Sequence, residues 1–183
     1  WGKHSEVALS SNEYAVPFHE TMHPIFKTFK DAILIVSSDE KSVSSRAGHA
    51  LMEGNPFAES RYQQAETHLT QLIKALKEGN LDVFGEIVEN EALTLHALMM
   101  CSTPSYMLML PNTLKIIDLI KTYRTEKAVP LYYTLDAGPN VHLLYPEENA
   151  VEVETFIQNT LLVYCENRKV IYDQVGNGPT KLE

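Results

Sequence analysis

One carboxylate stands where the sequence breaks between two apolar, β-rich runs. In Leu135-Asp136-Ala137-Gly138-Pro139-Asn140 the acid is followed by residues too small to block a ligand. Val129-Pro130-Leu131-Tyr132-Tyr133-Thr134 precedes the break and Val141-His142-Leu143-Leu144-Tyr145 follows it. A Gly-Pro pair between such runs marks a turn. An acid at a strand end suits proton transfer to or from a buried ligand group. Asp also starts turns by accepting from its own backbone, so on these residues alone both readings of Asp136 stand.

A second group, Ser42-Val43-Ser44-Ser45-Arg46-Ala47-Gly48, gathers hydroxyls, a guanidinium and a glycine in one polar stretch. Arg offers a two-pronged donor to phosphate oxygens, and Ser and backbone N–H groups supply further donors. Composition alone also allows a solvated Ser-rich loop. His19-Glu20-Thr21-Met22-His23 has the spacing of a zinc peptidase, which requires one continuous helix. Pro24 directly follows the second His and disfavours helical backbone there. No metal site is therefore expected. His96 falls beside the apolar stripe of a helix and reads as a satisfied, half-buried ring. Met99, Met100, Met107 and Met109 read as fillers of core gaps.

The elements that must position these groups follow from periodicity. Asp31–Ser37 is a short apolar block and predicts a buried strand, with a polar loop over Ser38–Asn55. Ala58–Glu78 predicts a helix with Tyr62, Ala65, Leu69, Leu72, Ile73 and Leu76 on one face and Gly79 as its stop. A second helix is predicted over Leu81–Met99. A third covers Asn112–Glu126, with Asn112 as N-cap and Leu114, Ile117, Ile120 and Tyr123 facing inward. Two strands flank Asp136. A fourth helix opens at Pro146 and Glu147 and runs through Tyr164, burying Val153, Phe156, Ile157 and Leu161. Lys169–Val175 predicts a last strand. Helices set apart from a strand pair give an α+β layer, an antiparallel sheet with helices on one face.

The whole chain has 183 residues, enough for one domain with a real core. A net charge of −9 argues against nucleic acid as a partner, because that needs a basic face. No apolar stretch reaches membrane-spanning length, so no membrane partner is expected. Cys101 and Cys165 are too few for a disulfide scaffold, and a cytoplasmic protein is the simplest account. A chain beginning at Trp1 rather than Met is expected to be a fragment or a processed product.

Several of these segments, in order, resemble the diphosphomevalonate decarboxylase family of the GHMP kinase group, in its carboxy-terminal half. Trp1 with Ser11-Asn12-Glu13-Tyr14-Ala15 resembles the family segment after its phosphate-binding loop. Val43-Ser44-Ser45-Arg46-Ala47-Gly48 resembles its Ser-Ser-Arg/Thr-x-Gly-Met loop. Leu95-His96-Ala97 and Ser105-Tyr106 are similar to its Met/Phe-His-Ala-Thr and Ser/Thr-Tyr-Leu segments. Thr134 to Asn140 is similar to its Phe/Met-Asp-Ala-Gly-Pro-Asn signature, and Gln174 to Pro179 to Gln-Val-Gly-x-Gly-Pro. The departures are His49 for the usual Met, Leu98 for Thr, and a single Pro104 where two are usual.

The resemblance implies a four-stranded, ferredoxin-like antiparallel sheet over residues 31–183, with 1–30 as the lead-in from an absent N-terminal half. It implies ATP-dependent decarboxylation of diphosphomevalonate to isopentenyl diphosphate. Asp136 would accept or orient the hydroxyl proton, Ser45 and Arg46 would hold phosphate oxygens, and the Ala137 backbone would lie against the substrate. ATP and Mg2+ would be bound mostly by the absent half, so this chain alone is expected to be inactive. That half is one implied partner, and a homodimer, common in the family, is another. The alternatives are a sister GHMP kinase or phosphomevalonate decarboxylase, and a non-catalytic α+β binding module.

Overall fold

The computed structural model describes residues 2–16, 18, 21–39 and 51–176. A 3-10 turn, Pro24–Thr28, leads into strand β1, Lys30–Leu34. Helices α1 (Ala58–Glu78), α2 (Leu81–Met100) and α3 (Pro111–Lys127) follow. Strands β2 (Tyr132–Leu135) and β3 (Val141–Tyr145) flank the Asp136 turn, then come helix α4 (Ala150–Phe156) and strand β4 (Val170–Gln174). The sheet runs β2-β3-β1-β4 with every neighbouring pair antiparallel. This is the split β-α-β arrangement of a ferredoxin-like fold, as the family resemblance implies.

Period-two alternation divides the sheet into two faces. Ala32, Leu34, Tyr133, Leu135, Val141, Leu143 and Tyr145 turn to one face and are buried with Ile116, Ile117 and Ile120 of α3 and Val153, Phe156, Ile157 and Leu161 of the α4 region. On the opposite face, Tyr132 joins Phe26, Phe29, Phe84 and Ala75 in a second, aromatic cluster, with Leu144 packed against it. Its ring centroids lie 5.0–5.9 Å apart, in tilted and edge-on pairs. That cluster anchors the α1–α2 hairpin beside β2. The hairpin turns on Gly79, whose φ of 75° only glycine adopts easily, and on Asn80, whose Oδ1 accepts from Val83 N–H.

Local departures from the sequence reading have physical causes. Helix α3 begins at Pro111, one residue before the predicted range, because proline fits the first helical position, and Thr113 Oγ1 accepts from Leu110 N–H. Asn112 is therefore not the cap; its side chain donates to the Tyr164 carbonyl at 3.0 Å. Leu114 and Tyr62, expected inward, are more than half exposed, and Ile116 takes the inward place in α3. The fourth helix is not uniform: it opens as a 3-10 turn at Glu147–Asn149 and widens to a π-turn over Ile157–Leu161. The wider turn delays rotation of the apolar stripe, so Leu161 and Leu162 both reach the core. Among the described residues no helix is long and apolar enough to cross a membrane.

Candidate active site

The β2–β3 turn brings Asp136 to the surface and fixes its backbone from three directions. Asp136 is exposed, Ala137 partly covered and Gly138 buried. The Asp136 carbonyl accepts from Gly138 N–H at 2.8 Å and from His96 Nε2 of α2 at 3.0 Å. Two residues on, the Pro139 carbonyl accepts from Thr113 Oγ1 at 2.6 Å, which ties the turn to the first turn of α3. Asn140 Oδ1 accepts from Val36 N–H at 2.8 Å and Ser37 N–H at 3.1 Å, tying it to the chain leaving β1. A short Gly-Pro turn between apolar strands forms readily from its sequence. Its exact placement is set by the side chains of His96 on α2 and Thr113 on α3, and by that of Asn140 reaching from the turn to the chain after β1.

His96 is only 1% exposed, so the expectation of a satisfied histidine holds, although the ring is fully rather than half buried. A carbonyl only accepts, so Nε2 must carry the proton. Burial lowers the His96 pKa, with the bond to the Asp136 backbone and the charge of Asp136 opposing that shift. The ring therefore stays neutral at physiological pH.

A second histidine was not singled out by the sequence. His142 on β3 donates from Nδ1 to Asp31 Oδ2 of β1 at 2.9 Å, and that bond raises its pKa, with a smaller contribution from the charge of Asp136. Thr134 faces His142 across the β2–β3 register, and Asp31 and Asp173 are opposed between β1 and β4. The alternation of β3 could have signalled a polar position facing away from the core at 142.

The other candidate residues fall differently. Ser45 and Arg46 lie outside the described residues, as do His19 and Glu20. His23 is extended, with ψ 139°, and caps the Pro24–Thr28 turn by accepting from Ile25 N–H. It is thus off the helical geometry a zinc motif requires. Among the described residues no group of three or more His, Cys, Asp or Glu side chains is placed to hold a metal ion.

The closed turn and its surface carboxylate lie within the segment where the chain is similar to known proteins. Residues 32–182 match the family model described as the mevalonate 5-diphosphate decarboxylase C-terminal domain. The structure is similar to that of a mevalonate diphosphate decarboxylase from Legionella pneumophila, with a TM-score of 0.74 and 29% identity, covering 83% of this chain and 47% of that one. It is also similar to the protein described as "MDDEF in complex with MVAPP, AMPPCP and Magnesium", with a TM-score of 0.71 and 26% identity, covering 80% and 43%. A phosphomevalonate decarboxylase from Haloferax volcanii is 26% identical over 106 residues, 58% of this chain and 33% of that protein. The chain thus spans a third to a half of the length of these relatives. With the family model covering most of its length, the chain belongs to the mevalonate 5-diphosphate decarboxylase C-terminal domain family.

Proposed function

We propose that the chain is the substrate-side domain of an ATP-dependent decarboxylase that converts diphosphomevalonate to isopentenyl diphosphate, phosphate and carbon dioxide. One observation carries the reading: an exposed carboxylate, Asp136, on a turn whose backbone is clamped by His96, Thr113 and Asn140. A clamped surface carboxylate is expensive to build and suits a reaction that depends on positioning. Residues 31–183 make up this domain, and residues 1–30 lead in from an N-terminal half that holds ATP.

Asp136 takes the proton of the tertiary hydroxyl as that oxygen attacks the γ-phosphorus of ATP, releasing ADP. The new phosphate then departs with the C–O electron pair, and positive character develops on the carbon it leaves. The negative charge of Asp136 stabilises that centre. The carboxylate carbon leaves as carbon dioxide, and its bonding pair becomes the double bond. Ser45 and Arg46 hold phosphate oxygens, and the Ala137 backbone lies against the substrate. The relative in complex with MVAPP, AMPPCP (an ATP analogue) and magnesium supports ATP and Mg2+ as the cofactors. The partners in this reading are the chain's own N-terminal half and a second copy in a homodimer, working in the cytoplasm; the domain alone is inactive.

The Haloferax relative favours a second reading, in which the substrate carries one phosphate rather than two. The test uses the complete enzyme with ATP, Mg2+ and each substrate in turn, following carbon dioxide and phosphate release. Release from diphosphomevalonate at much higher kcat/KM supports the main reading. A preference for phosphomevalonate establishes the second. A phosphorylated product that accumulates without carbon dioxide would make the protein a kinase instead.

A further inference from the structure

We infer that β4 is the homodimer contact: its outer edge pairs antiparallel with β4 of a second copy, with the two-fold axis at Ile171. This deepens the homodimer of the proposed function and rests on that part of the reading. The two edges of the sheet are treated differently. At β2, Arg124 donates to the Leu131 carbonyl and Glu89 accepts from Tyr133 N–H, so side chains occupy the edge. At β4 the strand pairs with β1 on one side, and residues 171–176 are exposed. Ile171 is 44% exposed and Tyr172 43%, apolar groups that an edge facing water normally avoids.

The ladder fixes which backbone groups point outward. Ile35 N–H donates to the Lys169 carbonyl and Val175 N–H to the Phe29 carbonyl. The bonded pairs between them are therefore Asp31–Asp173 and Ile33–Ile171. Val170, Tyr172 and Gln174 turn their N–H and C=O groups away from β1, and Gln174 N–H donates to Asp173 Oδ1 at 2.8 Å. Among the described residues, Val170 and Tyr172 thus carry the outward donors and acceptors.

One register satisfies them. An axis at Ile171 sets Val170 opposite the partner's Tyr172, and each such pair exchanges both N–H···O bonds. On the other face Ile171 meets the partner's Ile171, and Lys169 meets the partner's Asp173. Ile33 lies beside Ile171 on β1, so the apolar row continues into both sheets. Aromatic–β-branched and opposite-charge pairs directly across are favourable. Asp173 stands opposite Asp31 within the chain, and the partner's Lys169 brings a cation to those two acids. Moving the axis to Tyr172 would set Ile171 against the partner's Asp173 and separate the charges. The strand is complementary to its own reverse in the first register. A strand pair alone is smaller than a stable interface, so the adjoining helical segment must add to it. Gln158 Nε2 donates to Tyr172 Oη at 3.0 Å, which places that segment next to the edge.

The test is sedimentation equilibrium of the complete enzyme with Lys169→Asp, Asp173→Lys and the double variant. Each single change sets like charges opposite each other twice in the dimer, and the double change restores opposite ones. Within one chain the two positions lie about 13 Å apart along the strand, so only a partner strand couples them. The expected result is a dissociation constant raised at least about tenfold in each single variant and within about threefold of the parent in the double. A monomeric parent overturns the inference together with the homodimer, while decarboxylation by that monomer keeps the catalytic reading. A dimer that the single variants leave unchanged, or that the double fails to restore, overturns the β4 contact alone. An unchanged dimer with impaired turnover in the single variants assigns the edge to the N-terminal half instead.

Discussion

Glu89 on α2 and Arg124 on α3 form a two-pronged ion pair across the free edge of β2, with N–O distances of 2.5 and 3.1 Å. Arg124 also donates to the Leu131 carbonyl at 2.8 Å, and Glu89 accepts from Tyr133 N–H at 3.4 Å. An unpaired strand edge is a template for aggregation, and here side chains occupy it. The Glu89 side chain is 10% exposed and that of Arg124 28%. The pair raises the already high pKa of Arg124, chiefly through the hydrogen bond, so the guanidinium remains charged.

Glu89→Ala should therefore destabilise the fold by about 2–3 kcal/mol, below the usual loss for a fully buried pair because Arg124 is partly solvated. Urea unfolding of the purified domain measures it. A loss under about 0.5 kcal/mol, typical of an ordinary surface change, would show that the edge cap contributes little.

Gly85→Ala should also destabilise, against the helix-propensity trend. Alanine in a helix interior normally gains about 1 kcal/mol over glycine. Here a Cβ would stand 2.0 Å from Tyr132 Cδ1 and 2.1 Å from Cε1. The ring cannot easily yield, being edge-on to Phe84 with the Arg124 guanidinium 5.4 Å from its centroid. Overpacking of about 1–3 kcal/mol outweighs the propensity gain. A calorimetric scan should show a lower Tm; an unchanged or higher one would mean that Tyr132 has another place to go.

Both contacts explain how far the sequence could be read. The four strands, four helices and inward stripe of α4 were legible because burial leaves its period in the residue types. Leu114 and Tyr62 misled because an apolar residue at the rim of a stripe looks the same as one at its centre. For the candidate site, the Asp136 turn was legible from its Gly-Pro pair. Its clamps were not: His96, Thr113 and Asn140 bond to backbone carbonyls and N–H groups, which leave no mark in side-chain patterns. The link between Asp31 and His142 spans 111 positions and exists only because β1 and β3 are neighbours in the sheet.

That link should make stability depend on pH. The His142 pKa is raised above its ordinary 6.5 by the bond to Asp31. The stabilisation is thus fully present below the unfolded value and is lost as pH rises through the folded one. His96 works the other way. Its lowered pKa means that the unfolded chain takes up a proton, below about pH 6.5, that the native ring refuses. Comparing the parent with Asp31→Asn cancels the His96 term, which both share. The stability difference between the two should be larger near pH 5.5 than near pH 8.5, by urea unfolding at each. A difference that stays constant with pH would mean that the pair is not an ion pair in solution.

If Arg46 holds phosphate oxygens as proposed, Arg46→Ala in the complete enzyme should mainly raise KM for diphosphomevalonate, through loss of a charge-assisted contact to the ground state. The effect should grow weaker at high salt, where such contacts are screened. A loss confined to kcat, with KM unchanged, would instead place Arg46 on the transferring phosphoryl group.

Asp136→Asn should show the complementary pattern. The amide keeps the size of the side chain, and the turn bonds involve the backbone carbonyl, which the substitution leaves in place. Substrate binding should therefore persist. In the proposed mechanism, however, the substitution removes the proton-accepting oxygen and the negative charge beside the developing cation, and both act only as the reaction proceeds. The loss should thus fall on kcat, by at least about 1,000-fold, or ~4 kcal/mol of barrier. Following ADP and carbon dioxide separately sharpens the outcome. If Asp136 serves the phosphoryl transfer, both products fall together. If it serves only the later loss of phosphate, ADP forms in a first turnover while carbon dioxide lags. Turnover within about tenfold of the parent, a change of only ~1.4 kcal/mol, would remove Asp136 from the mechanism.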